Sequence, residues 1–177
     1  AARAERLKGA KEDPNVEREI HEADEALYRS LSHLLKYDTE RDFHRLKGTL
    51  IPPVNRKTPS YGYGPRKTGH KVTVRHTGYT YFVPVDTEVR AVGQGLVVYA
   101  HRFEGFGNMV IVDHGGGYHT VYAHLNHIDV TLNSRVNKGG VVGRSGDSGS
   151  LDGAKVYFEL RHNGRAIDPG PWFLRRE

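Results

Sequence analysis

Apolar residues change their period partway along the chain. Val16, Ile20, Ala23, Leu27, Leu31 and Leu34 recur every three or four positions, which is the spacing of one helical face. Asp13 offers an N-cap ahead of Pro14, a residue suited to the first helical position, and Glu25 and Arg29 form an i,i+4 pair. A second, short helix is predicted over 40–47, where Thr39 and Asp42 resemble a capping box and Gly48 is a natural stop. Beyond Gly48 the helical period disappears. Gly9 is the only glycine before Gly48, so twenty of the 21 fall in the remainder. Short runs rich in β-branched and aromatic residues then follow, at 87–92, 95–101, 108–114, 118–125, 141–145, 154–162 and 165–168. Asn163-Gly164 between the last two suits a type I′ hairpin turn. Closely spaced strands with no helical pattern between them predict a mainly β fold, an antiparallel barrel or sandwich preceded by an α-helical segment. The expected organisation is a helical arm at 1–47, a linker and first strand region at 48–72, and a β domain at 73–177.

The clearest alternation lies at 153–160, GAKVYFEL. Val156, Phe158 and Leu160 share one face of a strand; Lys155, Tyr157 and Glu159 share the other. The first set belongs in a core. The second reads as a solvated face unless something else in the chain assigns it a role.

Composition narrows the classes. At 177 residues, with 27% charged and 37% hydrophobic residues, the chain suits one domain of ordinary size with an appendage. No apolar run approaches the ~18 residues of a membrane span, and no signal peptide opens the chain, which does not argue for the cytoplasm. The absence of cysteine excludes disulfides and thiolate metal sites. A net charge of +5 favours polyanionic surroundings, with Lys and Arg read as scattered rather than massed in one block. Of the eleven histidines, His114, His119 and His124 are spaced five apart and so alternate faces of a strand, and His101, His127 and His162 fall near turns. The five-residue spacing suits no single ion, and a structural or solvated role is read for these histidines over a relocated metal site.

Three stretches in order, HTGYT at 76–80, YAHL at 122–125 and GAKVYFEL, together resemble the LytM or lysostaphin-type zinc endopeptidases that cut peptidoglycan cross-bridges. The resemblance covers roughly residues 50–174. It implies that the family's zinc is held by the first His and the Asp of an H-x-x-x-D and by the last His of an H-x-H, with two further histidines assisting. In this chain His76 matches the first ligand and His124 the auxiliary histidine, but Thr80 stands at the aspartate, and Lys155 and Tyr157 replace the H-x-H pair. An ammonium at Lys155 would repel Zn²⁺ by roughly 6–8 kcal/mol at ~4–5 Å with an effective dielectric near 20. The expectation is therefore no metal, no cofactor and no catalytic residues.

FHRLKGTLIPPV and KVYFELRHNGRAIDPGPWF bring the chain closer to the degenerate LytM domains of EnvC-like proteins. That resemblance implies a pseudoenzyme that activates a periplasmic N-acetylmuramoyl-L-alanine amidase during cell division. The helical arm would be regulatory and autoinhibitory, answering to an upstream division protein. His76, Thr80, Tyr122, His124, Lys155, Tyr157 and Glu159 would line the partner-binding groove, Tyr122 being placed beside His124 by strand period. Two other readings stay open: a peptidoglycan-binding scaffold module, and a zinc endopeptidase with a shifted ligand set. No nucleic-acid partner and no membrane span are expected.

Overall fold

The computed structural model describes residues 43–67 and 72–175. The helix expected over 13–34, and with it the arm, lies outside the described residues. Of the helix expected at 40–47, the described part is one 3-10 turn, Phe43–Leu46, followed by Gly48 at φ 83°.

Eleven strands follow: β1 Gly64–Lys67, β2 Thr73–His76, β3 Tyr79–Phe82, β4 Glu88–Arg90, β5 Gly95–Phe103, β6 Gly107–Gly115, β7 Tyr118–Ile128, β8 Arg135–Val136, β9 Val141–Ser145, β10 Lys155–His162 and β11 Arg165–Ile167. All seven runs with strand character in the sequence become strands. β1, β2, β3 and β8 were not among them, being two to four residues long and lacking a distinct apolar rhythm. Asn163 and Gly164 take φ 49° and 74°, as the tight β10–β11 turn requires.

Every strand pairing is antiparallel. β1 and β2 form a separate two-stranded hairpin, and the other nine make one sheet along β11-β10-β7-β6-β5-β8. β10 also pairs with β3, while the far half of β7 pairs with β9, which in turn pairs with β4. These branches bring Tyr81, Val89 and Val142 onto the face of the sheet that carries Val110, Val112, Tyr122, Val156, Phe158 and Leu160, and the main core forms between them.

The core extends earlier in the chain than position 73. Phe43 stacks on His114 at 4.4 Å and on Trp172 at 5.5 Å, and Leu50 and Val54 are buried in the same cluster. Leu50 also bridges to Phe173. A lone apolar residue in a Pro-rich stretch carries no period, so this contribution is visible only in three dimensions.

Candidate functional site

β10 is the axis of the site because both of its faces are buried. Val156, Phe158 and Leu160 are fully enclosed in the main core, as alternation predicts. The opposite face is not solvated. Lys155, Tyr157 and Glu159 are only 6%, 9% and 5% exposed.

Burial of three polar side chains requires partners, and the structure supplies them. The Tyr157 hydroxyl donates to Glu159 Oε1 at 2.6 Å, and the Thr77 hydroxyl donates to the same oxygen at 2.9 Å. Glu159 Oε2 receives Arg161 Nη1 at 2.6 Å, while Arg161 Nη2 donates to the Gly164 carbonyl at 2.7 Å. Both oxygens of Glu159 are thus engaged. Lys155 is ion-paired to Asp152 on the β9–β10 loop. Burial first, and then the Glu159 carboxylate, push the Tyr157 phenol well above its ordinary range, so Tyr157 remains a neutral donor.

The segment 76–80 lies against this row. Thr80 is buried and paired in register with Tyr157, while Tyr79 and Tyr81 turn toward the main core. Gly78 permits the close approach: a Cβ there would meet the Phe158 carbonyl at 2.3 Å and the Tyr157 ring at 3.0 Å. His76 ends β2, half-buried, with its ring 5.8 Å from Tyr61.

His124 and Tyr122 part company. Strand period puts them on one face, but His124 adopts φ 60°, and the β6–β7 register shifts between Asn108 and Val110. That irregularity breaks the alternation. His124 stands edge-on to Tyr157, ring centroids 6.5 Å apart, while Tyr122 is buried in the main core against Phe158 at 5.5 Å. Tyr122 therefore does not line the groove as expected: it follows the regular register onto the core face with Phe158, and the irregularity turns His124 to the other side. His124 Nδ1 lies 2.8 Å from the Ser148 carbonyl, which can only accept, so Nδ1 carries the proton. The SGDSGS stretch is the loop that positions this imidazole. Gly107 is needed beneath it, since a Cβ would meet the Ser148 carbonyl at 2.1 Å.

An aromatic series leads from the rim inward: Tyr99 to Phe103 at 6.1 Å, Phe103 to Phe106 at 6.0 Å, and Phe106 to Tyr157 at 5.8 Å. Sequence reasoning missed Thr77, Asp152 and Ser148 as partners of the site. The one available signal was a carboxylate, Asp152, three residues before Lys155.

The residues at the family's metal positions are one imidazole, one hydroxyl, one ammonium and one phenol. They do not fit zinc. The phenol is spent on Glu159 and held protonated, the ammonium is itself cationic, and among the described residues no three His, Asp or Glu side chains gather as a metal cradle would require.

This architecture, an antiparallel sheet with the 76–80 segment and β7 flanking β10, defines a class. Residues 74–169 match Peptidase family M23, and the chain belongs to that family. It is 32% identical over 129 residues to the murein hydrolase activator EnvC of Escherichia coli, covering 73% of this chain and 30% of that protein. It is 35% identical over 135 residues to the peptidoglycan DD-endopeptidase ShyA of Vibrio cholerae, covering 75% of this chain and 31% of that one. It spans about a third of the length of each. Among solved structures, the catalytic domain of the prophage-encoded M23 protein EnpA from Enterococcus faecalis superposes with a TM-score of 0.61 at 28% identity, covering 69% of this chain and 96% of that one.

Proposed function

We propose that this domain acts without catalysis, binding and activating a periplasmic N-acetylmuramoyl-L-alanine amidase that splits peptidoglycan in cell division. One observation carries the reading. Where the family places its H-x-H pair, this chain has a buried Lys155 ion-paired to the exposed Asp152 and a Tyr157–Glu159–Arg161 network. Such a network is a rigid floor for a partner, not a cradle for a metal and its water. The similarity to a relative named as a murein hydrolase activator supports the same reading.

In this reading the buried ladder shapes the groove, and the groove's rim makes the contact. Leu151, 44% exposed on the loop that carries Asp152, is the candidate anchor. The residues before Phe43 enter the reading as a regulatory arm, which makes truncation to residue 43 an activating change if the arm covers the groove.

The test combines metal analysis of the purified chain with hydrolysis of cross-linked sacculi and stimulation of a purified amidase. The expected result is no stoichiometric zinc, no cleavage, and stimulation that falls about tenfold in Leu151→Asp, the loss of one buried anchor of about 1.4 kcal/mol, with an unchanged melting temperature. Bound metal with cleavage of cross-links would overturn the proposal in favour of an endopeptidase, the activity named for the ShyA relative.

A further inference from the structure

Lys and Arg are not scattered. From Phe43 through Val85 the chain has eight Lys and Arg residues and no Asp or Glu. Eight of the 26 cations and none of the 21 acids fall in this span, which leaves 18 cations against 21 acids elsewhere. The net positive charge of the protein therefore resides in this one stretch.

Five of the eight cations lie on the β1–β2 hairpin and the loop before it, outside the β10 network. Arg66 and Lys67 lie on β1, Arg75 on β2, and Arg56 and Lys57 on the loop before them; all five are exposed. The register pairs Pro65 with Arg75 and Lys67 with Thr73, so Lys67 and Arg75 are diagonal neighbours on one face of the hairpin. Arg66 points to the other face, its guanidinium 3.6 Å from the Tyr61 ring centroid. Tyr61 stands edge-on to Phe82, whose carbonyl accepts from Arg56. One cation stack thus ties hairpin and loop together.

The second observation concerns pairing. Four described cations outside this stretch meet carboxylates: Arg90 and Arg144 with Glu88, Arg144 also with Asp129, Lys155 with Asp152, Arg161 with Glu159. Among the described residues, none of these five cations is ion-paired. Exposed like charges held together repel one another, and an anionic ligand relieves that repulsion.

We propose that the β1–β2 hairpin and the 55–60 loop form a cationic retention surface for the carboxylate-bearing peptide stems of peptidoglycan, distinct from the groove. Aromatic rings beside the cations, Tyr61 and the half-buried Tyr63, suit a polymer that presents sugar and peptide between its charges. The surface would hold the chain on the wall while the groove engages something else. It rests on the envelope location proposed above and is independent of amidase activation.

Co-sedimentation of the full chain with purified sacculi tests it, using Lys57→Glu, Lys67→Glu and Arg75→Glu combined. These three are exposed, and among the described residues no side-chain hydrogen bond or ion pair involves them. The triple variant should lose at least about tenfold in retention, and raising salt from about 0.05 to about 0.5 M should release the parent chain, because exposed charges are screened over a few ångströms at high salt. Sacculi whose carboxylates have been amidated should not retain the parent chain. Stimulation of an amidase on a soluble substrate should be the same for parent and variant, which separates failure of this surface from failure of the groove reading. Equal retention of the variant, equal retention on amidated sacculi, or tighter capture by anionic vesicles or DNA than by sacculi would each overturn the proposal. So would loss of soluble-substrate stimulation in the variant with retention intact, since the hairpin would then belong to the amidase interface.

Discussion

The two faces of β10 are both hidden from water but held by different physics. On one, Val156, Phe158 and Leu160 pack in the main core. On the other, Lys155, Tyr157 and Glu159 are buried through ion pairs and hydrogen bonds. Dispersion and water exclusion tolerate small shifts of a neighbour, whereas a buried polar network fails when one partner leaves. Here the second face satisfies its own polar groups.

The largest expected break comes on the apolar face. Phe158→Ala removes a fully buried ring packed against Tyr122 and Phe173 and should cost about 3–5 kcal/mol, read as a shift in denaturant midpoint at constant slope. A comparable loss from Tyr157→Phe would mean that the two faces do not differ in kind.

The main core has a polar chain of its own, and acid should find it. His114 Nδ1 lies 2.7 Å from the Gln94 carbonyl, so it carries the proton, and Nε2 accepts from the Thr120 hydroxyl at 2.7 Å. Thr120 in turn lies 3.0 Å from the Tyr122 hydroxyl, which also accepts from Val92 N–H. With Nδ1 committed to a carbonyl, the chain closes only if Tyr122 donates to Thr120. Burial lowers the His114 pKa from 6.5 to about 4, opposed by the Gln94 bond and aided by the His119 charge. The unfolded chain thus binds a proton that the folded chain refuses. Stability from this site is complete above about pH 6.5 and declines as pH falls toward about 4, by about 3 kcal/mol over the window. His114→Gln should flatten that slope in pH-dependent unfolding; an unchanged slope would place the acid sensitivity elsewhere.

The smallest change sharpens the comparison most. Tyr157→Phe keeps the ring against Phe106 and His124 and removes only the hydroxyl that shares Glu159 Oε1 with Thr77. Thr77 remains to satisfy that oxygen, so the cost should be about 1 kcal/mol. Glu159→Gln should cost more, about 2–3 kcal/mol, because it sets a neutral amide in place of the carboxylate against the nearly buried Arg161 guanidinium. Thermal melts of the two variants side by side check the order. A reversed order would show that the hydroxyl, not the carboxylate, organises the network.

Much of this could be read from the chain alone. Period-two runs marked seven strands, Asn163-Gly164 marked the β10–β11 turn, and the core half of β10 followed from alternation, because a strand's side-chain period is local and fixed by its pleat. The spaced fragments around His76, His124 and Lys155 identified the family for the same reason: a motif is a local string. Local rules could not say that the polar half of β10 is buried, since burial depends on what the 76–80 segment and the β9–β10 loop lay over it. Nor could they place Tyr122 in the core and His124 at the site, because a bulge is a pairing event between β6 and β7 and leaves no mark in either strand's own rhythm. The clustering of exposed cations was present in the sequence as an acid-free span. Only the tertiary structure decided that, among the described residues, five of those cations are exposed and outside every ion pair, because which carboxylate meets which cation depends on segments far apart in the chain.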